Sequence, residues 1–141
     1  MCFAYPNKRP KPGIWYAGTG GFAVLETDME KYGNILQAAG QLLLIPHKIG
    51  NFVFCNVLQK IECDPSTDLK CILKNGKPGK ELSAPLNLKS IPHSSLFKFS
   101  SHLMRHTVCC WERNGDPKTE FRACVLKNKI KGVRFNLLWE G

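Results

Sequence analysis

The sequence predicts an α+β, β-dominated fold: a small antiparallel barrel or half-barrel of about seven strands, with one firm helix at about 28–39. Three observations predict it. Short apolar runs recur between clusters of Gly, Pro, Asn and Asp, which is the signature of strands and turns. Only the stretch after Leu25 keeps helical spacing between a start and a stop signal. The chain has 141 residues, which fits one domain.

Each element follows in order. Residues 1–13 read as an extended basic, Pro-rich arm, because Pro6, Pro10, Pro12 and Gly13 exclude helix and leave Lys8, Arg9 and Lys11 exposed. Residues 14–141 then form a single globular domain. Ile14 to Ala17 reads as a strand, Gly18-Thr19-Gly20-Gly21 as a turn, and Phe22 to Leu25 as a second strand. Thr27-Asp28-Met29-Glu30 matches a capping box. Met29, Tyr32, Leu36 and Ala39 recur on one helical face, and Gly40 terminates it. Gln41 to Ile45 and Asn51 to Ile61 form a hairpin around residues 47–51. A turn at Asp64 to Asp68 and a strand at Leu69 to Lys74 follow. Residues 75–92 read as a long basic loop with an edge strand at Leu86 to Leu88. Residues 94–103 carry two readings, a short helix capped by Ser94 or Ser95, or a strand over Leu96-Phe97-Lys98-Phe99. Thr107 to Arg113 and Thr119 to Leu126 flank Asn114-Gly115-Asp116-Pro117-Lys118 as a second hairpin. A last strand runs from Val133 towards Trp139.

Charge narrows the function. The formal net charge is +9. Residues 1–69 carry six Lys/Arg and six Asp/Glu; residues 70–141 carry fourteen against five. A one-sided excess of this kind favours nucleic acid (RNA or single-stranded DNA) or another polyanion as partner. The expected phosphate contacts are Lys74, Lys77, Lys80, Arg122, Lys127, Lys129, Lys131 and Arg134. Trp111, Arg113, Phe121 and Phe135 interleave with them, as in proteins that hold single strands by cations and stacked rings. On a strand, Phe135 shares a face with Val133 and reads as core, with Arg134 on the other side.

No apolar run approaches the roughly 20 residues of a membrane span, and the start lacks the apolar segment of a secretory signal. Seven cysteines, an odd number with no Cys-x-x-Cys pair, read as reduced thiols. The expected location is therefore a reducing compartment, cytoplasmic or nuclear, and not outside the cell. No cofactor motif is present: Gly18 to Gly21 lacks the Lys-Ser/Thr of a phosphate loop. No metal site is expected either. His102 and His106 are four apart, but Leu103 stands where a zinc protease helix has its glutamate, and Cys55, Cys63 and Cys71 are too widely spaced for a zinc knuckle.

Three short segments resemble known families. Cys55 followed by Asn56 to Ile61, with His106-Thr107-Val108 some fifty residues later, has the Cys-before-His order of papain-like enzymes. With the sequence ending at Gly141, this resembles viral papain-like leader proteases. The resemblance implies Cys55 as nucleophile and His106 as base. Asn56 stands where those enzymes carry an aromatic residue, and Phe52-Val53-Phe54 reads as strand, so Cys55 is expected as a core thiol. Gly13-Ile14-Trp15 is similar to the Gly-x-Trp start of lipocalin barrels. Lys131-Gly132-Val133-Arg134-Phe135 is similar to the peptide pattern that adds a strand to phosphatase-1. The leading expectation is a non-enzymatic basic binding module. The alternatives are a papain-like cysteine (auto)protease of viral leader type and a protein–protein interaction domain, viral or host, with incidental charge.

Overall fold

The computed structural model describes residues 2–4, 13–16, 20–48, 50–61, 93–99 and 108–136. The strands are β1 (Cys2–Ala4), β2 (Ile14–Tyr16), β3 (Gly21–Leu25), β4 (Gly40–Ile45), β5 (Phe52–Val57), β6 (Lys60–Ile61), β7 (Leu96–Phe99), β8 (Val108–Cys110) and β9 (Arg134–Asn136). The helices are α1 (Met29–Tyr32), α2 (Ile35–Ala39) and α3 (Phe121–Lys127). Two open sheets result, one in the order β2-β3-β5-β4 and one in the order β6-β7-β8-β1-β9. All pairings are antiparallel except β6 with β7.

The fold is thus α+β and strand-rich, but it is not a closed barrel. Among the described residues the backbones of the two sheets are joined at two places. At one, Leu58 and Gln59 carry the chain from β5 directly into β6, with both N–H groups donating to the Ala39 carbonyl at 3.0 and 3.3 Å. At the other, a single parallel bridge links Gly13 to Lys131, and the Ile14 N–H donates to the Lys131 carbonyl at 3.1 Å. One bridge is not a ladder, so the sheet edges stay apart where a barrel would have to close. Both backbones come too close at this joint for side chains. A Cβ on Gly132, whose φ is +104, would meet the Ile14 carbonyl oxygen at 2.5 Å.

The hairpin expected at 41–61 is present, as β4 and β5 paired from Gly40↔Val57 to Ile45↔Phe52. Alternation explains it: Val53, Cys55 and Val57 are buried while Phe52, Phe54 and Asn56 are half-buried. Leu96 to Phe99 takes the strand reading rather than the helical one.

The single helix at 28–39 is corrected. A 3-10 turn over Glu26–Asp28 leads into α1, and Gly33 (φ +53) breaks the run before α2. No side-chain cap forms at either helix. The reason lies in β3: Leu25 pairs with Phe52, and the Glu26 N–H donates to the Asn51 carbonyl at 3.0 Å. Helical winding therefore starts two residues early, at Glu26, which puts Thr27 inside the turn instead of before it.

The second hairpin is corrected too. Thr119 to Leu126 is not a strand; Phe121–Lys127 forms α3, which buries Phe121, Ala123, Cys124 and Val125. Residues 2–4, within the expected arm, form β1 between β8 and β9, and residues 5–12 lie outside the described residues. The expected turn, strand and basic loop of residues 64–92 lie outside the described residues.

The core fills the space between the sheets and under the helices. Phe121 is its hub: its ring lies 5.5 Å from Phe22, 6.2 Å from Phe135 and 6.0 Å from Tyr32, stacked on the last. Burying an aromatic of this size contributes roughly 1.5–3 kcal/mol.

Candidate nucleic-acid interface

The segment from α3 into β9 sets four cations on the solvent side. Lys127 occupies the last turn of α3. Asn128 caps the helix: its side-chain amide donates to the Cys124 carbonyl at 2.9 Å, as does its backbone N–H at 3.0 Å. Lys129 then adopts a left-handed conformation (φ 53) and reverses the chain, with the Ile130 N–H donating to the Val125 carbonyl at 3.0 Å. From there the chain alternates. Ile130, Val133 and Phe135 pack against the core, while Lys129, Lys131 and Arg134 are exposed. The inward residues are what hold the outward cations in place. Among the described residues the ion pairs are Lys31–Asp28 and Arg122–Glu112, so Lys127, Lys129, Lys131 and Arg134 face water with none of them ion-paired there.

Arg122 is differently placed. Its guanidinium donates to Glu112 Oε2 at 2.7 Å and lies 5.9 Å over the Phe135 ring. Its charge is thus already matched inside the protein. The rings expected to stack on bases also divide. Phe121 is fully buried, and Phe135 packs on it. Trp111 is half-buried, donates from Nε1 to the Ser94 carbonyl at 2.8 Å, and carries the Arg113 guanidinium 5.0 Å from its ring. Lys74, Lys77 and Lys80 lie outside the described residues.

Cys55 sits in the middle of β5, wholly buried, between Phe22 of β3 and Leu42 of β4. Its thiol donates to the Leu36 carbonyl at 3.7 Å, and burial pushes its pKa up to about 12. A nucleophile needs the thiolate at neutral pH and an open approach; Cys55 has neither. His106 lies outside the described residues. Cys124 is a second core thiol, donating to the Lys31 carbonyl at 3.1 Å, and burial raises its pKa. Cys55, Cys109, Cys110 and Cys124 are all unbridged. Among the described residues no three potential metal ligands gather, and no helix is long and apolar enough to cross a membrane.

Two polar residues escaped the sequence reading. Glu120 is buried at the start of α3, and its carboxylate accepts the backbone N–H groups of Arg113, Asn114 and Gly115 at 3.2, 2.9 and 2.9 Å. This brace, rather than a two-strand ladder, shapes the turn at 114–118. The available signal was Asp116-Pro117-x-x-Glu120 before an apolar run, a helix start. Lys98 is 8% exposed and stands directly opposite Lys60 across the β6–β7 pair. Burial, and then the Lys60 charge, lower its pKa. Alternation in Leu96-Phe97-Lys98-Phe99 put Lys98 on the face of Leu96, but nothing in the sequence placed Lys60 across from it.

No family model matches the chain, and neither a curated protein nor a solved structure is similar to it.

Proposed function

We propose that this protein is a non-enzymatic binding module that engages nucleic acid, RNA or single-stranded DNA, through the segment joining α3 to β9. One observation carries the reading: Lys127, Lys129, Lys131 and Arg134 are four exposed cations within eight consecutive residues, none of them ion-paired among the described residues. Cations spaced like this along a chain reversal suit a run of phosphates, and counterion release supplies the affinity. Arg122 contributes indirectly, by holding Glu112 away from the cluster. Lys74, Lys77 and Lys80 extend the same charge excess in sequence. The buried, protonated Cys55 gives the protease reading no support. The protein's working location on this reading is a reducing compartment, cytoplasm or nucleus.

The test is binding to labelled single-stranded RNA, single-stranded DNA and duplex across a salt series. Log affinity should fall linearly with log salt, with a slope of about −0.7 to −0.9 per phosphate contact. Changing Lys127, Lys129 and Lys131 together to Glu should abolish binding to all three. Binding unchanged in that triple variant would overturn the proposal.

A further inference from the structure

We infer that the outer edge of β4 pairs antiparallel with β4 of a second copy of this chain, joining two four-stranded sheets into one. The exposed large hydrophobics among the described residues are Leu43, Leu44, Ile45, Leu58 and Leu126. The first three are in β4, exposed by 45%, 59% and 43%, and Leu58 abuts its start, since the Leu58 N–H bonds to the carbonyl of Ala39. Among the described residues apolar exposure is thus concentrated along one strand, and that strand is a sheet edge.

Natural edge strands are protected by Lys, Pro, bulges or shortness. β4 has none of these. Gly40-Gln41-Leu42-Leu43-Leu44-Ile45 contains no charge and no proline, and its register with β5 runs unbroken over all six residues. The exposed side chains also point both ways. Leu43 and Ile45 lie on the face of their partners Phe54 and Phe52, while Leu44 lies on the face of Val53. A body stacked on the sheet covers one of these faces. A strand added in the plane of the sheet covers both, and satisfies the free backbone groups as well.

Charge and symmetry point to a second copy as that strand. Residues 40–45 hold no ionisable group, so neither a polyanion nor an acidic peptide gains anything there. The balanced first half of the chain is also where two copies of net charge +9 repel each other least. Leu42 to Ile45 laid antiparallel on itself sets apolar residues against apolar residues. The β4–β4 pair closes on a two-fold axis, whereas β4 on the β2 edge of another copy would propagate openly. That β2 edge is in addition partly engaged by the Gly13–Lys131 bridge. Six residues make an edge about 20 Å long, a small interface beside the about 800 Å² per partner of a standard one. The association is therefore weak and concentration-dependent.

The test is sedimentation equilibrium of the full chain, free of nucleic acid, over the micromolar to millimolar range, with amide hydrogen exchange at both ends of it. A dimer should appear at the upper end and persist at high salt, which would dissolve any association bridged by polyanions. Exchange of β4 amides should slow as it forms, a readout that needs no variant. Leu44→Lys and Leu43→Lys should each weaken association at least tenfold, while Leu126→Lys leaves it unchanged. A monomer at every concentration, a dimer indifferent to Leu44→Lys, or a dimer without β4 protection would each overturn the inference.

Discussion

The four-stranded sheet takes all its strands from residues 14–57, in short antiparallel steps, whereas the five-stranded sheet gathers β1, β6, β7, β8 and β9 from both halves of the sequence. The first rests on its own ladders: β5 pairs with β3 and with β4 over eleven register pairs. The second has strands of two to four residues and depends on braces outside the sheet. Glu120 is one of these braces, and the Gly13–Lys131 joint is another. The first sheet is built from strands close in sequence, whereas the second joins distant strands and is braced by α3 and its loops.

The largest way to break this comparison is alkaline. Cys55 lies on the inner face of the four-stranded sheet, and its folded pKa is raised from 9.0 to about 12. A thiol whose folded pKa is raised stabilises fully below pH 9, and that stability is lost as pH rises towards 12. The loss is on the order of 4 kcal/mol at the top of the window. Denaturant unfolding at a series of pH values should show the fall, and Cys55→Ala should be less stable at neutral pH but with a shallower slope. Alkylation of Cys55 at pH 8 should proceed no faster than unfolding.

Next comes Glu120→Ala, which leaves three backbone N–H groups without their charged acceptor and should cost about 3 kcal/mol. Amide exchange should accelerate in β8, α3 and β9 before it does in β3 and β5. Equal acceleration in both sheets would erase the distinction drawn between them. Glu120→Gln keeps an acceptor and should lose about half as much.

The smallest effect runs the other way. Lys98→Met removes a buried cation that faces Lys60 and keeps the side-chain volume, so stability should rise by about 1 kcal/mol. A decrease would mean that the Lys98 ammonium has a stabilising role in the second sheet.

The same contrast governs how much of the molecule was legible in the sequence. Alternation over Phe52 to Val57 and the turn at 47–51 specify β4 and β5 because each contact is local. Phe121-Arg122-Ala123-Cys124-Val125-Leu126-Lys127 sets strand-favouring Phe121 and Val125 among the helix formers Arg122, Ala123, Leu126 and Lys127, so propensity alone does not decide it. Its helical stripe of Phe121, Cys124 and Val125 becomes decisive only once Tyr32 and Phe22 are there to receive it. The Thr27 capping box failed for a related reason: pairing of Leu25 with Phe52 fixes where the helix starts, and local chemistry yields to it. At the candidate interface, Lys127, Lys129, Lys131 and Arg134 were readable as charge. The neutralisation of Arg122 by Glu112, ten residues away, was not.

The position of β1 bears on how this protein is made. Residues 2–4 leave the ribosome well before their partners, residues 109 and 134–136. At roughly 5–20 residues per second of synthesis, that strand waits many seconds with no neighbour, while the hairpins of residues 14–57 can already form behind it. β1 and β9 can therefore pair only once residues 134–136 have been made. Removing residues 2–4 would take out an interior strand of the sheet.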